Sequence, residues 1–203
     1  GDYSLNSDGL VVKTADIGSA DEKGIIMVDA NGTPEFVQIG NQNEDFRIGM
    51  THNMTYKKWN LFMLWDMKSG GDIYNQNTQW NTISERAAIV DQTPKNGVDL
   101  KTRKYYGSLY DVNQGNKYWV EDGSYAKLRE LAVTYDLSSA INFAGISSAK
   151  ISFIGRNLLT ITDYTGWDPE VTSYSSDVGQ YFSVDQGVYP TQSTYSVSLN
   201  VKF

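Results

Sequence analysis

The last ten residues alternate without a break: Tyr195, Val197, Leu199, Val201 and Phe203 are separated by Ser196, Ser198, Asn200 and Lys202. Side chains on a strand point to opposite faces with a period of two, so this pattern predicts a strand with one apolar and one polar face. A second such signal covers 46–67. Phe46, Ile48, Met50, Met54 and Tyr56 share one face, and Arg47, Gly49, Thr51, Asn53, Thr55 and Lys57 the other. The pattern resumes with Trp59, Leu61, Met63, Trp65 and Met67, so two strands joined by a tight turn at 57–58 are expected. His52 interrupts the apolar face as a filler or interface residue. In a third block, 118–137, Leu131, Val133, Tyr135 and Leu137 are in phase but Leu128 is not, which predicts a β-bulge around Arg129 and Glu130. A fourth block runs from Lys150 to Thr160, after a modest connection over 138–149.

The intervals carry a second message. Residues 69–117 and 161–193 are long, polar and aromatic, beyond the roughly 12–15 residues usual for loops of small domains. One short helix is expected within 81–92, starting after Asn81 or Ser84. Short connections thus alternate with long ones, the arrangement of an outer-membrane barrel with short turns at one rim. Alternation alone also suits a soluble β-sandwich whose apolar faces meet across two sheets.

Composition agrees with a β-rich chain: aromatics are 13%, including 14 Tyr and 5 Trp, against 20% charged residues. The net charge of −7 argues against a nucleic-acid partner, which needs a basic stripe against phosphate. Without cysteine there is no disulfide and no thiolate metal site. No run approaches about 18 apolar residues, which excludes a transmembrane helix and leaves a barrel open. Gly1-Asp2-Tyr3-Ser4 has neither a basic nor an apolar leader segment, so no signal peptide is expected in this stretch.

Gly70-Gly71-Asp72-Ile73-Tyr74-Asn75 is similar to the GGDIYN segment of SusC/RagA-type TonB-linked outer-membrane transporters. Glu121-Asp122-Gly123-Ser124-Tyr125 running into Lys127-Leu128-Arg129-Glu130-Leu131, and Gly155-Arg156-Asn157-Leu158, resemble further segments of that family, in order. Tyr164-Thr165-Gly166-Trp167-Asp168-Pro169-Glu170-Val171, Tyr189-Pro190 and the closing strand complete the set; Asp8-Gly9-Leu10-Val11, Ile39-Gly40-Asn41 and Asp45-Phe46 also fit.

The resemblance implies an all-β chain. It would be the carboxy-terminal part, roughly five antiparallel strands, of a plugged barrel of about 22 strands in the outer membrane of a Gram-negative bacterium. It divides the chain into an extracellular region at 1–42, a hairpin at 43–68 turning at the periplasm, and a long extracellular loop at 69–117. Two strands at 118–160 with a periplasmic turn at 138–149, an extracellular loop at 161–193 and a final strand at 194–203 follow. The implied activity is energised import of a glycan or peptide, without catalysis or cofactor. The implied partners are a SusD-like surface lipoprotein, the rest of the barrel and plug, outer-membrane lipid, and the TonB-ExbB-ExbD complex acting through the amino-terminal part.

Candidate chemistry is sparse. His52 has no adjacent nucleophile or carboxylate pattern for a triad. Asp168 and Glu170 form a carboxylate pair that would suit a glycosidase, or a motif that orders its own loop. Asp29-Ala30-Asn31-Gly32 begins like a calcium loop, but Gly40 falls where the last ligand belongs, leaving Asp29 and Asn31 as a weak metal candidate. The loop aromatics Trp80, Tyr105, Tyr106, Trp119, Trp167, Tyr174 and Tyr181 can stack on sugars, grip a peptide or meet a partner, or else fill small loop cores. Tyr56, Trp59 and Trp65 suit interfacial girdles. The rival functions are a secreted carbohydrate-binding sandwich and a hydrolase using Asp168 and Glu170.

Overall fold

The computed structural model describes residues 1–90, 101–110, 116–141, 145–171, 173–175 and 180–203. In chain order these form β1 (Tyr3–Leu5), β2 (Val11–Lys13), β3 (Glu44–Tyr56), β4 (Trp59–Gly70), β5 (Asp72–Tyr74), α1 (Gln76–Ile83), α2 (Arg103–Gly107), β6 (Val120–Asp122), β7 (Tyr125–Asp136), β8 (Ser148–Ile161), β9 (Ser173–Ser175), β10 (Gln180–Phe182) and β11 (Thr194–Lys202). They divide into two compact units. One holds 43–71, 122–170 and 189–203, and the other holds 1–42, 72–121 and 171–188.

The first unit is a five-stranded antiparallel sheet in the order β11-β8-β7-β4-β3. Its register sets the alternating residues of the sequence side by side. Met54, Leu61, Val133, Phe153 and Val197 form one row across all five strands. Tyr56, Trp59, Tyr135, Ile151 and Leu199 form the next. This apolar face is not covered: Phe153 is 57% exposed, Val197 66% and Leu199 64%. A soluble sandwich would bury these positions under a second sheet, and no second sheet covers them among the described residues. The opposite face is mixed, with Phe62, Leu64, Ala132 and Ile154 among polar side chains that pair with one another. Thr134 and Ser152 share a hydrogen bond of 2.8 Å, Asn60 donates to Asn53 at 2.6 Å, and Arg156 donates to Glu130 at 2.8 Å.

A two-residue turn at Lys57 and Lys58 joins β3 to β4, with Lys57 at a φ of 54°. The bulge expected near Arg129 is present. Leu64 and Trp65 face Glu130 and Leu128, so Arg129 is the extra residue of β7. At the other end of β4 the chain breaks from the sheet through Gly70 and Gly71, whose φ angles are 77° and 82°. A Cβ on Gly70 would lie 2.7 Å from an Asp45 carboxylate oxygen, so glycine is required there for space as well as for conformation.

The second unit contains what the sequence showed only as long loops. β1 pairs with β2, β5 with β6, and β9 with β10. Tyr105, Tyr106, Leu109 and Trp119 form its core, with Leu10, Tyr74, Val90 and Tyr118 packed against them. The Trp119 indole donates to the Leu109 carbonyl at 3.0 Å, so its one polar atom is satisfied. β7 begins at Tyr125, because 117–122 turns into this unit and supplies β6. The short helix lies ahead of its expected place. The Asn75 side chain accepts from the Thr78 amide at 2.9 Å and starts α1 at Gln76, a cap the hydrophobic pattern did not reveal.

Candidate functional site

The densest chemistry of the sheet unit lies on its polar face, at the end of β4 and β7 away from the lysine turn. Arg47 on β3 grips Asp66 on β4 with two parallel hydrogen bonds, Nε to Oδ1 at 2.9 Å and Nη2 to Oδ2 at 2.7 Å. The bulge brings Arg129 to the same carboxylate, with Nη2 2.6 Å from Asp66 Oδ2. Arg129 Nη1 also donates to Glu170 Oε2 at 2.7 Å, and its Nη2 reaches the other Glu170 oxygen. Lys127, only 2% exposed, completes the set: its ammonium donates to Asp168 at 2.5 Å and to Glu170 at 2.7 Å. The Tyr125 hydroxyl donates to Glu170 at 3.0 Å, and the Lys127 ammonium sits 5.3 Å from the Tyr125 ring centre.

Three cations (Arg47, Lys127, Arg129) thus face three anions (Asp66, Asp168, Glu170). Bidentate and shared contacts of this kind are the strong form of ion pairing, because several donors fix each carboxylate at once. Asp168 further accepts from the Glu170 amide at 3.0 Å and from the Thr191 amide at 2.9 Å. One carboxylate therefore ties both ends of the 161–193 segment to β7. Asn157, at a φ of 51°, donates to the Gln192 carbonyl at 3.1 Å and adds a second tie beside the first.

Burial pushes the Asp168 carboxyl up, but the Lys127 ammonium and the Thr191 and Glu170 donors outweigh it and bring it down to about 2. Glu170 follows the same balance: burial raises it, Arg129 and Lys127 lower it, and it falls to about 2. A glycosidase acid needs the opposite, a carboxyl raised so that it keeps its proton. The pair is built to anchor, not to donate protons. Both folded values lie below the ordinary 3.8 and 4.5, so the stabilisation is complete above about 4.5 and lost as pH falls towards 2. Protease cleavage within 161–193 is therefore expected to rise steeply between pH 4.5 and 2 and to stay flat from pH 5 to 8. Cleavage that does not change with pH across the acid range would contradict the clamp.

The aromatic candidates separate into two groups. Tyr105, Tyr106 and Trp119 are core residues of the loop unit at 0%, 5% and 3% exposure, where a ligand's sugar face cannot reach their rings. The Tyr105 hydroxyl donates to Asp8 and accepts from Asn6 at 3.0 Å, and burial holds it far above the usual phenol range. Trp80 and Trp167 are exposed, Trp167 by 66%. Tyr174 lies on β9 and Tyr181 on β10, with their side chains outside those described. His52 is exposed on β3 opposite Met63.

The Asp29 carboxylate accepts from the Asn31 and Thr33 amides at 2.8 and 2.9 Å, a local turn whose donors hold the carboxyl below its usual range. Among the described residues no group of three or more His, Cys, Asp or Glu is placed to hold a metal. The clamp cations escaped the sequence reading, although a signal existed. Lys127 and Arg129 stand two apart, as do Asp168 and Glu170, and such matching pairs of opposite charge suit each other.

No family model matches the chain. It is 28% identical over 197 residues to TonB-dependent receptor P3 of Formosa agariphila, covering 92% of this chain and 20% of that protein. It is 26% identical over 191 residues to TonB-dependent receptor P26 of the same organism, covering 86% of this chain and 19% of that one. The chain thus spans about a fifth of the length of these curated relatives. Among solved structures, it matches a chain of the RagAB peptide transporter with a TM-score of 0.65 at 17% identity. A chain of the RagAB peptide importer in its closed-closed state matches at 0.62 and 17%. In both cases all of this chain and 22% of the other is covered. The similarity to TonB-dependent receptors therefore runs along nearly the whole sequence, and the chain shares the fold of the matching part of the RagAB transporter chain.

Proposed function

We propose that this chain is the carboxy-terminal wall and outer loops of a TonB-dependent outer-membrane importer that takes up glycans or peptides with a SusD-like lipoprotein as its lid. The observation that carries the reading is the continuous apolar face across β3, β4, β7, β8 and β11, open to its surroundings at every row. In water such a face is an aggregation surface, whereas against lipid tails it is the required exterior. The polar face then lines the lumen. Tyr56, Trp59 and Tyr135 cluster beside the lysine turn, with the Trp59 and Tyr135 rings 4.6 Å apart, and suit a girdle at the periplasmic boundary.

In this assignment the turns at 57–58 and 138–149 are periplasmic, and 69–117 and 161–193 are extracellular. Trp80 and Trp167 are among the loop aromatics accessible to cargo or lid, with Phe36 and Tyr189 also exposed. The TonB complex would act on the plug, in a part of the protein outside this segment.

Fractionation tests the proposal. The protein should partition into the detergent-extracted outer membrane, migrate differently on gels before and after heating, and bring a surface lipoprotein with it. Recovery as a folded, monodisperse 22.7 kDa species in plain buffer would overturn the reading.

A further inference from the structure

We propose that the cavity between the end of α1 and α2, in the loop unit, binds a carboxylate carried on a short apolar group, the chemistry of a peptide's terminal residue. The cavity measures about 810 Å³, within the range of small-ligand sites. Ile83, Val90 and Tyr106 supply apolar wall, while Glu85, Arg86 and Arg103 supply charge.

The end of α1 is built in an unusual way. The Arg86 amide donates to the Asn81 carbonyl at 2.7 Å and the Glu85 amide to the Thr82 carbonyl at 3.1 Å, closing the helix with Glu85 at a φ of 59°. Glycine is the usual occupant of that left-handed position, because it has no Cβ to clash. A glutamate held there is a strained choice, and strain of this kind gathers at ligand sites.

The strained residue does something specific: its carboxylate receives Arg103 Nε at 2.7 Å. That pair leaves Arg86 as a second guanidinium with no partner among the described residues. Among the described residues, two guanidiniums against one carboxylate line the cavity, an excess of one positive charge in a chain of net charge −7. A guanidinium presents a planar fork that matches a carboxylate, and the neighbouring aliphatic wall accepts the group behind it. A bare sugar ring fits less well. Tyr106 is 5% exposed and offers no open aromatic face for stacking. The inference deepens the importer reading by naming a ligand class for the loop unit, and rests on that reading only for its place in uptake.

The test uses the whole transporter, purified in detergent, titrated with acetyl-Gly-Leu, with its carboxy-terminal amide and with hexanoate. The acid is expected to bind about tenfold more tightly than the amide, as befits a charge-assisted pair. Arg86→Gln and Arg103→Gln should each abolish that preference, and Arg86→Lys should keep part of it. Arg86 is exposed, so its variants should retain heat-modifiable migration, which is checked in each preparation. Hexanoate binding as tightly as the dipeptide supports the site with a free acid as its source, and weaker binding points to a peptide. No saturable binding of either acid, equal affinity for acid and amide, or a preference intact in both glutamine variants overturns the proposal. TonB-dependent uptake is measured separately. Uptake without acid binding sinks the cavity alone, and acid binding without uptake sinks the importer reading alone.

Discussion

Replacing Lys127 by methionine is expected to lower the heat-modification temperature of the purified protein sharply and to expose 161–193 to protease at neutral pH. Lys127 is buried and is the side-chain cation on Asp168. Glu170 keeps Arg129, but Asp168 is left with the neutral donors of Thr191 and the Glu170 amide and no cation. Removing one partner of a buried pair costs about 3–5 kcal/mol, because the remaining charge stays out of water without compensation. The double variant Lys127→Met with Asp168→Leu should recover a substantial part of the loss, since both charges then leave together. An unchanged melting temperature in Lys127→Met would mean that the clamp contributes nothing. No recovery in the double variant would mean that Lys127 acts through something other than Asp168.

A second large effect is expected on the apolar face. Val197 sits in the row Met54, Leu61, Val133, Phe153, Val197, and Val197→Arg would place a guanidinium on the face that the proposed function sets against lipid tails. Near the bilayer midplane such a change costs about 2–4 kcal/mol. Folded protein in the outer membrane should therefore fall severalfold. The neighbouring Ser198→Arg points to the polar face, opposite Ser152, and should be tolerated. The contrast between adjacent positions is the informative readout. Equal tolerance at both would show that the apolar face does not meet lipid, and equal loss at both would show that β11 rejects any charge.

The sheet was legible because its signal is local. A period of two in Phe46 to Met67 and in Tyr195 to Phe203 states which face each side chain takes, and even the bulge at Arg129 announced itself as the phase slip between Leu128 and Leu131. The loop unit was not legible in the same way. Its core joins Leu10 to residues between Tyr74 and Trp119, contacts across long stretches of chain that leave no periodic trace. Helix α1 depends on one capping amide at Asn75, and its residues carry no apolar stripe. The clamp lay between these cases. Asp168 and Glu170 were visible as a pair, but the cations they meet lie more than forty residues away on a face that otherwise reads as ordinary polar alternation. Burial decided the aromatics: nothing in sequence distinguishes Tyr105, buried and hydrogen-bonded, from Trp167 in the open.

The pairing of β5 with β6 has a kinetic consequence for the sheet. About fifty residues separate the end of β4 from the start of β7, and drawing the ends of so long a flexible loop together costs about 3–4 kcal/mol in chain entropy. A loop unit that forms first relieves this penalty, because the pairing of β5 with β6 joins the two stems next to the ends of β4 and β7. Beta pairing across a long separation thus becomes, in effect, the closing of a short hairpin, which is the faster class of contact. A lesion in the small core of Tyr105, Tyr106 and Trp119 is therefore expected to slow the zippering of β4 onto β7.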